Sequence, residues 1–304
     1  MLQRKATAES RSAITVVSAF ASGKGVTVGI DLPCRVTAVL QKRQKSDADK
    51  VSSGVPDPHN LVHICVEKSI EFLGASLPRE QTLVVSVDSS IPTAVGLKSS
   101  SAVSVAVTKA VFFLFGRANS NPAIIQKILR VSCEASIQSG ASLTGAYDDA
   151  AAGLLGGLVF SDNLKFKLLR HEALDASLGS IVKILLPKKK KLTSSLDLST
   201  YHSFKDQSSE AIEFAKKGVL IQAMFLNSII HSVIHHYSLQ PVVSSIIEGA
   251  SASGITGKGP AVAAICPNKK VASRIERQWL EDLAGSKVIT ATVTAPTARG
   301  AFET

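Results

Sequence analysis

Residues 92–102 read Pro92-Thr93-Ala94-Val95-Gly96-Leu97-Lys98-Ser99-Ser100-Ser101-Ala102, a Gly- and Ser-rich turn that runs straight into an apolar segment with no further glycine until Gly116. Such a turn lines up backbone N–H groups at the start of a helix, where donors without intrahelical partners and the positive dipole end attract anions. Serine is also a favoured N-cap in any helix. By itself the stretch therefore fits two things equally, a capped core helix and a phosphate site. Past Ser99, the residues Ala102, Val103, Ala106, Val107, Ala110, Val111 and Leu114 are apolar around most of a helical circumference, which predicts a helix buried between other elements.

Working outward, a chain of 304 residues with 45% hydrophobic content is long enough for about two domains, each with a core; the expected division is 1–161 and 162–304. Lys and Arg exceed Asp and Glu by 34 to 24, for a net charge of +10, but the excess is dispersed apart from Lys188 to Lys191. With aromatic residues at 5% and no basic stripe interleaved with them, a nucleic-acid partner is not expected. Cys34, Cys65, Cys133 and Cys266 lie far apart among apolar neighbours, the pattern of free buried thiols in a reducing compartment. No window approaches 18 uncharged apolar residues and the N-terminus lacks a signal-peptide core. A cytoplasmic protein without a membrane partner is the expectation.

The element order reads as α+β. Ala13 to Phe20, Val26 to Leu32 and Arg35 to Leu40 are β-rich runs, the first broken at Ala21-Ser22-Gly23-Lys24-Gly25. Gln41 to Pro58 reads as a polar loop, with a helix opening at Pro58 and a strand over Leu83 to Val87. Asn121-Pro122 caps and starts another helix. The small-residue run 140–157, GASLTGAYDDAAAGLLGG, reads as a loop carrying two adjacent carboxylates, followed by a strand near Leu158 to Phe160. Further strands are expected over Phe166 to Leu169, Ile181 to Leu186, Ala261 to Cys266 and Val288 to Val293. Helices are expected over Asp206 to Lys217, Val219 to His236, from Gln240-Pro241, and from Asn268 to Leu283. Gly249 to Pro260, GASASGITGKGP, reads as a loop whose glycines permit close approach to a ligand. His231 and His235 stand at i, i+4 without an acidic third ligand, so they read as helix-face histidines rather than a zinc site.

Three glycine-rich segments thus follow one another: Ser22 to Gly29, Pro92 to Ala102, and Gly249 to Pro260. The Walker loop G-x-x-x-x-G-K-[ST] is absent around Lys98 and Lys258, and Gly23, Gly25 and Gly29 have the wrong spacing for a dinucleotide fingerprint. Pro92 to Ala102 instead resembles the P-x-x-x-G-L-x-S-S-x-A phosphate loop of the GHMP kinases, the superfamily of galactokinase, homoserine kinase and mevalonate kinase. The outer two segments resemble that family's first and last motifs, in the right order over essentially the whole chain. Within the superfamily, Ala21 to Gly25 leading to Gly29-Ile30-Asp31-Leu32, then GLKSSSA, then Thr144-Gly145-Ala146-Tyr147-Asp148-Asp149-Ala150 are similar to the archaeal-type shikimate kinases.

The resemblance implies a two-domain α+β GHMP-kinase fold with the active site in the cleft between the domains, and phosphoryl transfer from ATP, with Mg²⁺, to shikimate. It implies a nucleotide-binding loop of Pro92, Gly96, Leu97, Lys98, Ser99, Ser100, Ser101 and Ala102. It makes Asp148 the acid that takes the substrate hydroxyl proton, and Lys24 a neighbouring catalytic cation. Ser99, Ser100 and Glu134 are the implied Mg²⁺ ligands. Gly23, Asp149, Gly254, Thr256, Gly257 and Lys258 fall on the substrate side, and Arg299, Arg35 and Lys258 are candidate cations for a substrate carboxylate. The phosphate loops do not read the acceptor, so a homoserine- or mevalonate-type kinase stands as the alternative, as does a non-catalytic ligand sensor on the same scaffold. A monomer or homodimer is expected.

Overall fold

The computed structural model describes residues 4–43, 51–53, 57, 59–117, 121–188 and 198–297. The first unit opens with β1 (Arg4–Val17) and β2 (Lys24–Lys42), antiparallel from Arg4↔Leu40 to Val17↔Val26. β1 begins at Arg4, ahead of the apolar run, because Ala8, Ser10 and Ser12 alternate inward from an otherwise polar segment. β2 is one strand rather than two. Pro33, which cannot donate to a ladder, sits where the register with β1 shifts opposite Arg11 and Ser12.

β3 (Val51–Ser53) adds a short strand within the stretch expected to be loop, and α1 runs Leu61–Phe72. The helix starts after Asn60; Pro58, the expected start, lies outside the described residues. β4 (Gln81–Ser89) then leads to α2 (Ser99–Leu114) and α3 (Pro122–Gln138), whose Asn121 side chain caps Ala123 N as expected. The region read as a loop holds α4 (Tyr147–Leu155), all of it buried. Alanine is the best helix former, and the small side chains let α4 lie directly on β1, where a Cβ on Gly153 would come within 2.4 Å of Arg11 O.

β5 (Leu158–Asp162) and β6 (Lys167–Glu172) complete a sheet ordered β3-β4-β2-β5-β6, with β1 along the other edge of β2. The division expected after residue 161 therefore falls inside β5, and β6 adds to the first sheet. The second unit contains β7 (Ile181–Leu186), α5 (Leu198–His202), α6 (Lys205–Lys216), α7 (Leu220–His235), α8 (Gln240–Ile247), β8 (Ala252–Ile255), β9 (Val262–Cys266), α9 (Lys269–Asp282) and β10 (Lys287–Thr292). Its sheet is antiparallel, in the order β10-β7-β9-β8. β8 was hidden in the glycine-rich run: Ala252-Ser253-Gly254-Ile255 is a fully buried strand.

β4 pairs with the Cys34–Lys42 half of β2 and β5 with the Lys24–Val28 half, so both strands share one edge and leave a notch between them. The end of the second unit fills that notch. Val293 bridges to Ile30, Thr294 N donates to Gly29 O at 3.0 Å, and Thr297 N donates to Leu155 O at 2.8 Å. One core joins the units, with Val28 and Ile30 of β2 in the same cluster as Met224, Ala252 and Ile265. The four cysteines are free and buried. Among the described residues no helix is long and apolar enough to cross a membrane; Lys189 to Lys191, expected in an exposed turn, lie outside them.

Candidate active site

The N-termini of α2 and α4 open into one cleft of about 340 Å³, lined by Thr15, Ser18 to Phe20, Pro92 to Ala94, Gly96 to Ser101, Ser136, 141–144, Ala146, Asp148, Asp149, Asn163 and Gly257 to Gly259. Both helices start in the same unusual way. Lys98 precedes α2 at φ 61°, ψ 27°, and Ala146 precedes α4 at φ 50°, ψ 50°, neither with a side-chain cap. Ala94 has φ 60°. A non-glycine residue in the left-handed region costs about 1–2 kcal/mol, and such strain persists where the surroundings enforce it, often at functional sites. The expected serine caps are thus corrected. Lys98 holds the cap position with no capping bond, so the first-turn N–H groups, at Ser99 to Ser101, are offered to the cleft rather than met by a side chain. The stretch thus has the backbone geometry that an anion site needs.

The outer loops hold this turn in place. A Cβ on Gly96 (φ 91°) would lie 2.2 Å from Thr256 O, and one on Gly257 (φ 59°) 2.7 Å from Gly96 O, so only glycine permits the contact. Ser12 Oγ donates to Leu97 O at 2.7 Å. Thr15 and Thr256 bond reciprocally: Thr256 Oγ1 accepts from Thr15 N at 3.1 Å, Thr15 Oγ1 accepts from Gly257 N at 3.0 Å, and Thr256 Oγ1 donates to Gly96 O at 3.2 Å. Thr256 is fully buried, and it clasps the loops together rather than facing a ligand. Gly254 lies in β8 outside the cleft, its Cα against Met224 O and Ser228 Oγ of α7. Of the last motif, Gly257, Lys258 and Gly259 reach the cleft.

Asp148 is 4% exposed in the first turn of α4, where the dipole favours a carboxylate. Asn163 Nδ2 donates to its Oδ1 at 2.7 Å, and Thr27 Oγ1 donates to its Oδ2 at 3.1 Å. Asn163 Oδ1 in turn accepts from Asp148 N at 3.1 Å and from Ser161 Oγ at 2.6 Å. Gly23 acts one step back: its carbonyl accepts from Asn163 N at 2.8 Å, and it does not line the cleft. Asp149 forms an ion pair with Lys98, Nζ to Oδ1 2.9 Å, both side chains 10% exposed. Burial and the neighbouring Asp148 push its carboxyl up to about 7, against the pull of Lys98.

Three further implied site residues are not brought to this place: Lys24, Glu134 and Ala102, the last buried in α2. Lys24 is exposed at the start of β2 and outside the cleft lining. Side chains alternate along a strand, and it is Gly25 that faces Asp148; Lys98 takes the place of the cation beside the acids. Lys24→Met is accordingly expected to change kcat by less than about threefold in steady-state assays, the ordinary range for a surface substitution; a loss of two orders of magnitude would return Lys24 to the chemistry. Glu134 is also outside the lining, its carboxylate 2.8 Å from Arg130 Nε on the same helix. Arg35 is exposed and paired with Glu9 at 3.2 Å, and Arg299 lies outside the described residues. His231 is buried rather than on an open face, its pKa lowered by burial to about 3 and its Nδ1 3.2 Å from Tyr201 Oη. Thr15, Thr27 and Asn163 were missed; the signal available for them was a polar residue inside an apolar strand or beside a strand end.

An uncapped helix N-terminus and a buried carboxylate held by two hydrogen bonds thus line one cleft, the arrangement that phosphoryl transfer to a hydroxyl uses. Comparison with known families and structures places the chain. Residues 60–157 match the GHMP kinases N terminal domain and 216–285 the GHMP kinases C terminal domain. The chain is 34% identical over 281 residues to "Shikimate kinase" of Pyrococcus furiosus, covering 92% of this chain and 97% of the relative. It is 32% identical over 258 residues to "Shikimate kinase" of Thermococcus kodakarensis, covering 85% and 91%. Among solved structures it is similar to homoserine kinase from Cytophaga hutchinsonii, with TM-score 0.71, 17% identity, and 97% and 96% of the two chains covered. For the Methanococcus jannaschii mevalonate kinase the TM-score is 0.69, at 13% identity over 95% and 98%. The chain belongs to the GHMP kinase family.

Proposed function

We propose that the protein transfers the γ-phosphoryl group of ATP to a ring hydroxyl of shikimate, giving 3-phosphoshikimate in the cytoplasm. The observation that carries the acceptor is the likeness over 92% of the chain to a shikimate kinase. The structural neighbours act on other acceptors by name and share the fold alone. The cleft supplies the chemistry any such transfer needs: backbone donors at Gly96 to Ser101 bind and orient the phosphates, and Asp148 removes the proton from the attacking hydroxyl at Oδ1 or Oδ2. Thr27 and Asn163 hold that carboxylate in one orientation, so no rearrangement is needed as the proton moves.

The residues present fit Mg²⁺. Asp149 is a buried carboxylate on the cleft lining beside Asp148, with Lys98 as its ion-pair partner, and Ser99 and Ser100 offer hydroxyl oxygens on the same lining. Mg²⁺ is bound through one or two protein oxygens together with phosphates, and when bound it neutralises charge on the transferring group. Asp149, Ser99 and Ser100 would hold it.

The test is ADP release with Mg²⁺-ATP and a panel of shikimate, homoserine, mevalonate and galactose. Shikimate should exceed the others in kcat/KM by at least about 10²-fold. Turnover of another panel member and not of shikimate would show a different acceptor on the same family scaffold.

A further inference from the structure

Two cations line the cleft, Lys98 and Lys258. Lys98 is engaged by Asp149 at 2.9 Å. Lys258 has no such partner: among the described residues no carboxylate lies within ion-pair distance, and its amine pKa is lowered by burial and by the charge of Lys98. A half-buried ammonium without a counter-ion is unfavourable until an anion arrives. Lys258 follows Gly257, which packs on Gly96 of the phosphate turn; the phosphates there have helix-terminal amides, whereas a carboxylate on the acceptor needs a cation of its own.

Among the described residues lining the cleft Phe20 is the one aromatic side chain, and the Lys258 backbone is tied toward it. Tyr237 Oη donates to the Lys258 carbonyl at 3.0 Å, and the Tyr237 ring lies against Gly259 so closely that a Cβ there would meet it at 2.5 Å. Tyr237 packs on His235 with ring centroids 5.3 Å apart, His235 Nε2 is 2.6 Å from Tyr201 Oη, and Tyr201 packs on Phe20 at 5.1 Å. A row of rings thus runs behind the cleft from the Lys258 backbone to Phe20, and both Lys258 and Phe20 line the cleft.

We infer that Lys258 is the acceptor subsite's cation and receives the acceptor's carboxylate. The inference rests on the acceptor reading above and names the residue that would make it specific for a carboxylic acid.

Steady-state kinetics with shikimate and its uncharged methyl ester test it. Lys258→Met is expected to raise KM for shikimate on the order of 10²-fold while kcat and KM for ATP stay within about threefold. On the unsubstituted protein the ester should lose a comparable factor against the acid; on Lys258→Met the acid and the ester should be used equally. Lys258→Arg, which keeps the charge, should recover part of the loss, separating a lost ion pair from a damaged loop. If Lys258→Met still prefers the acid by the original factor, or if KM for ATP rises instead, the assignment is overturned while the acceptor reading stands. If the unsubstituted protein turns over neither compound, both fall together.

Discussion

Asp148→Asn is expected to lower kcat by about 10³-fold, within the range that general-base catalysis supplies, with the folded state and nucleotide binding retained. The reason lies in the partners. An amide at this position keeps an oxygen for Asn163 Nδ2, which donates at 2.7 Å, and its new NH₂ can donate to Thr27 Oγ1, which stands 3.1 Å from the other oxygen. A hydroxyl reverses its role freely, so the buried site stays satisfied and only the basicity is lost. Turnover and nucleotide titration on the same preparation check this; near-normal turnover would remove Asp148 from the base role, and loss of nucleotide binding would show that it organises the phosphate loop.

Gly25→Ala should reach nearly the same phenotype from outside the chemistry. The added Cβ would stand 2.2 Å from Asp148 Oδ2 and 2.7 Å from its Cγ. Asp148 has nowhere to retreat: its backbone N is bonded to Asn163, and its side chain is held at both oxygens. A displacement of about 1 Å at a reacting group costs on the order of 10² in rate, so kcat should fall at least that far. Thermal denaturation should show a cooperatively folded protein, because the clash ends on a side chain and not on the sheet. Wild-type kcat in this variant would mean that the Asp148 orientation described here is not the working one. The pair of variants separates two questions, whether the carboxylate is basic and whether it is aimed.

Much of the frame could be read from residues alone. Periodicity and end signals located α2, and Asn121-Pro122 located the start of α3, because both depend on local chemistry. The failures share a cause, which is that tertiary packing decided them. Residues 140–157 resemble a loop by composition, yet Ala150 to Ala152 are helical since only small side chains fit between β1 and β5. Gly254 suggests a ligand loop, but its lack of a side chain serves the approach of α7. Lys24 matches a motif by position, and the strand's alternation turns it to solvent while Gly25 takes the inward place. At the site, the turn at Pro92 to Ser101 and Asp148, which share one cleft, could be picked out because each is one short stretch. Thr27, Asn163 and the Thr15–Thr256 clasp were not, since their meaning comes from partners more than ten residues away, as Asn163 and Asp148 show with a separation of 15. The choice of Lys98 over Lys24 likewise depends on how two helices meet.

The notch in β2 carries a consequence for how the molecule is put together in time. The residues that close it, Val293 to Thr297, are translated after every other part of both sheets, and they bond to Gly29 and Leu155. During synthesis β2 therefore stays open at Gly29 and Ile30, between the segments that β4 and β5 pair. A chain cut short before residue 293 holds every strand of both sheets and the whole of residues 92–102, yet leaves β2 open at Gly29 and Ile30, where the two units are stitched together.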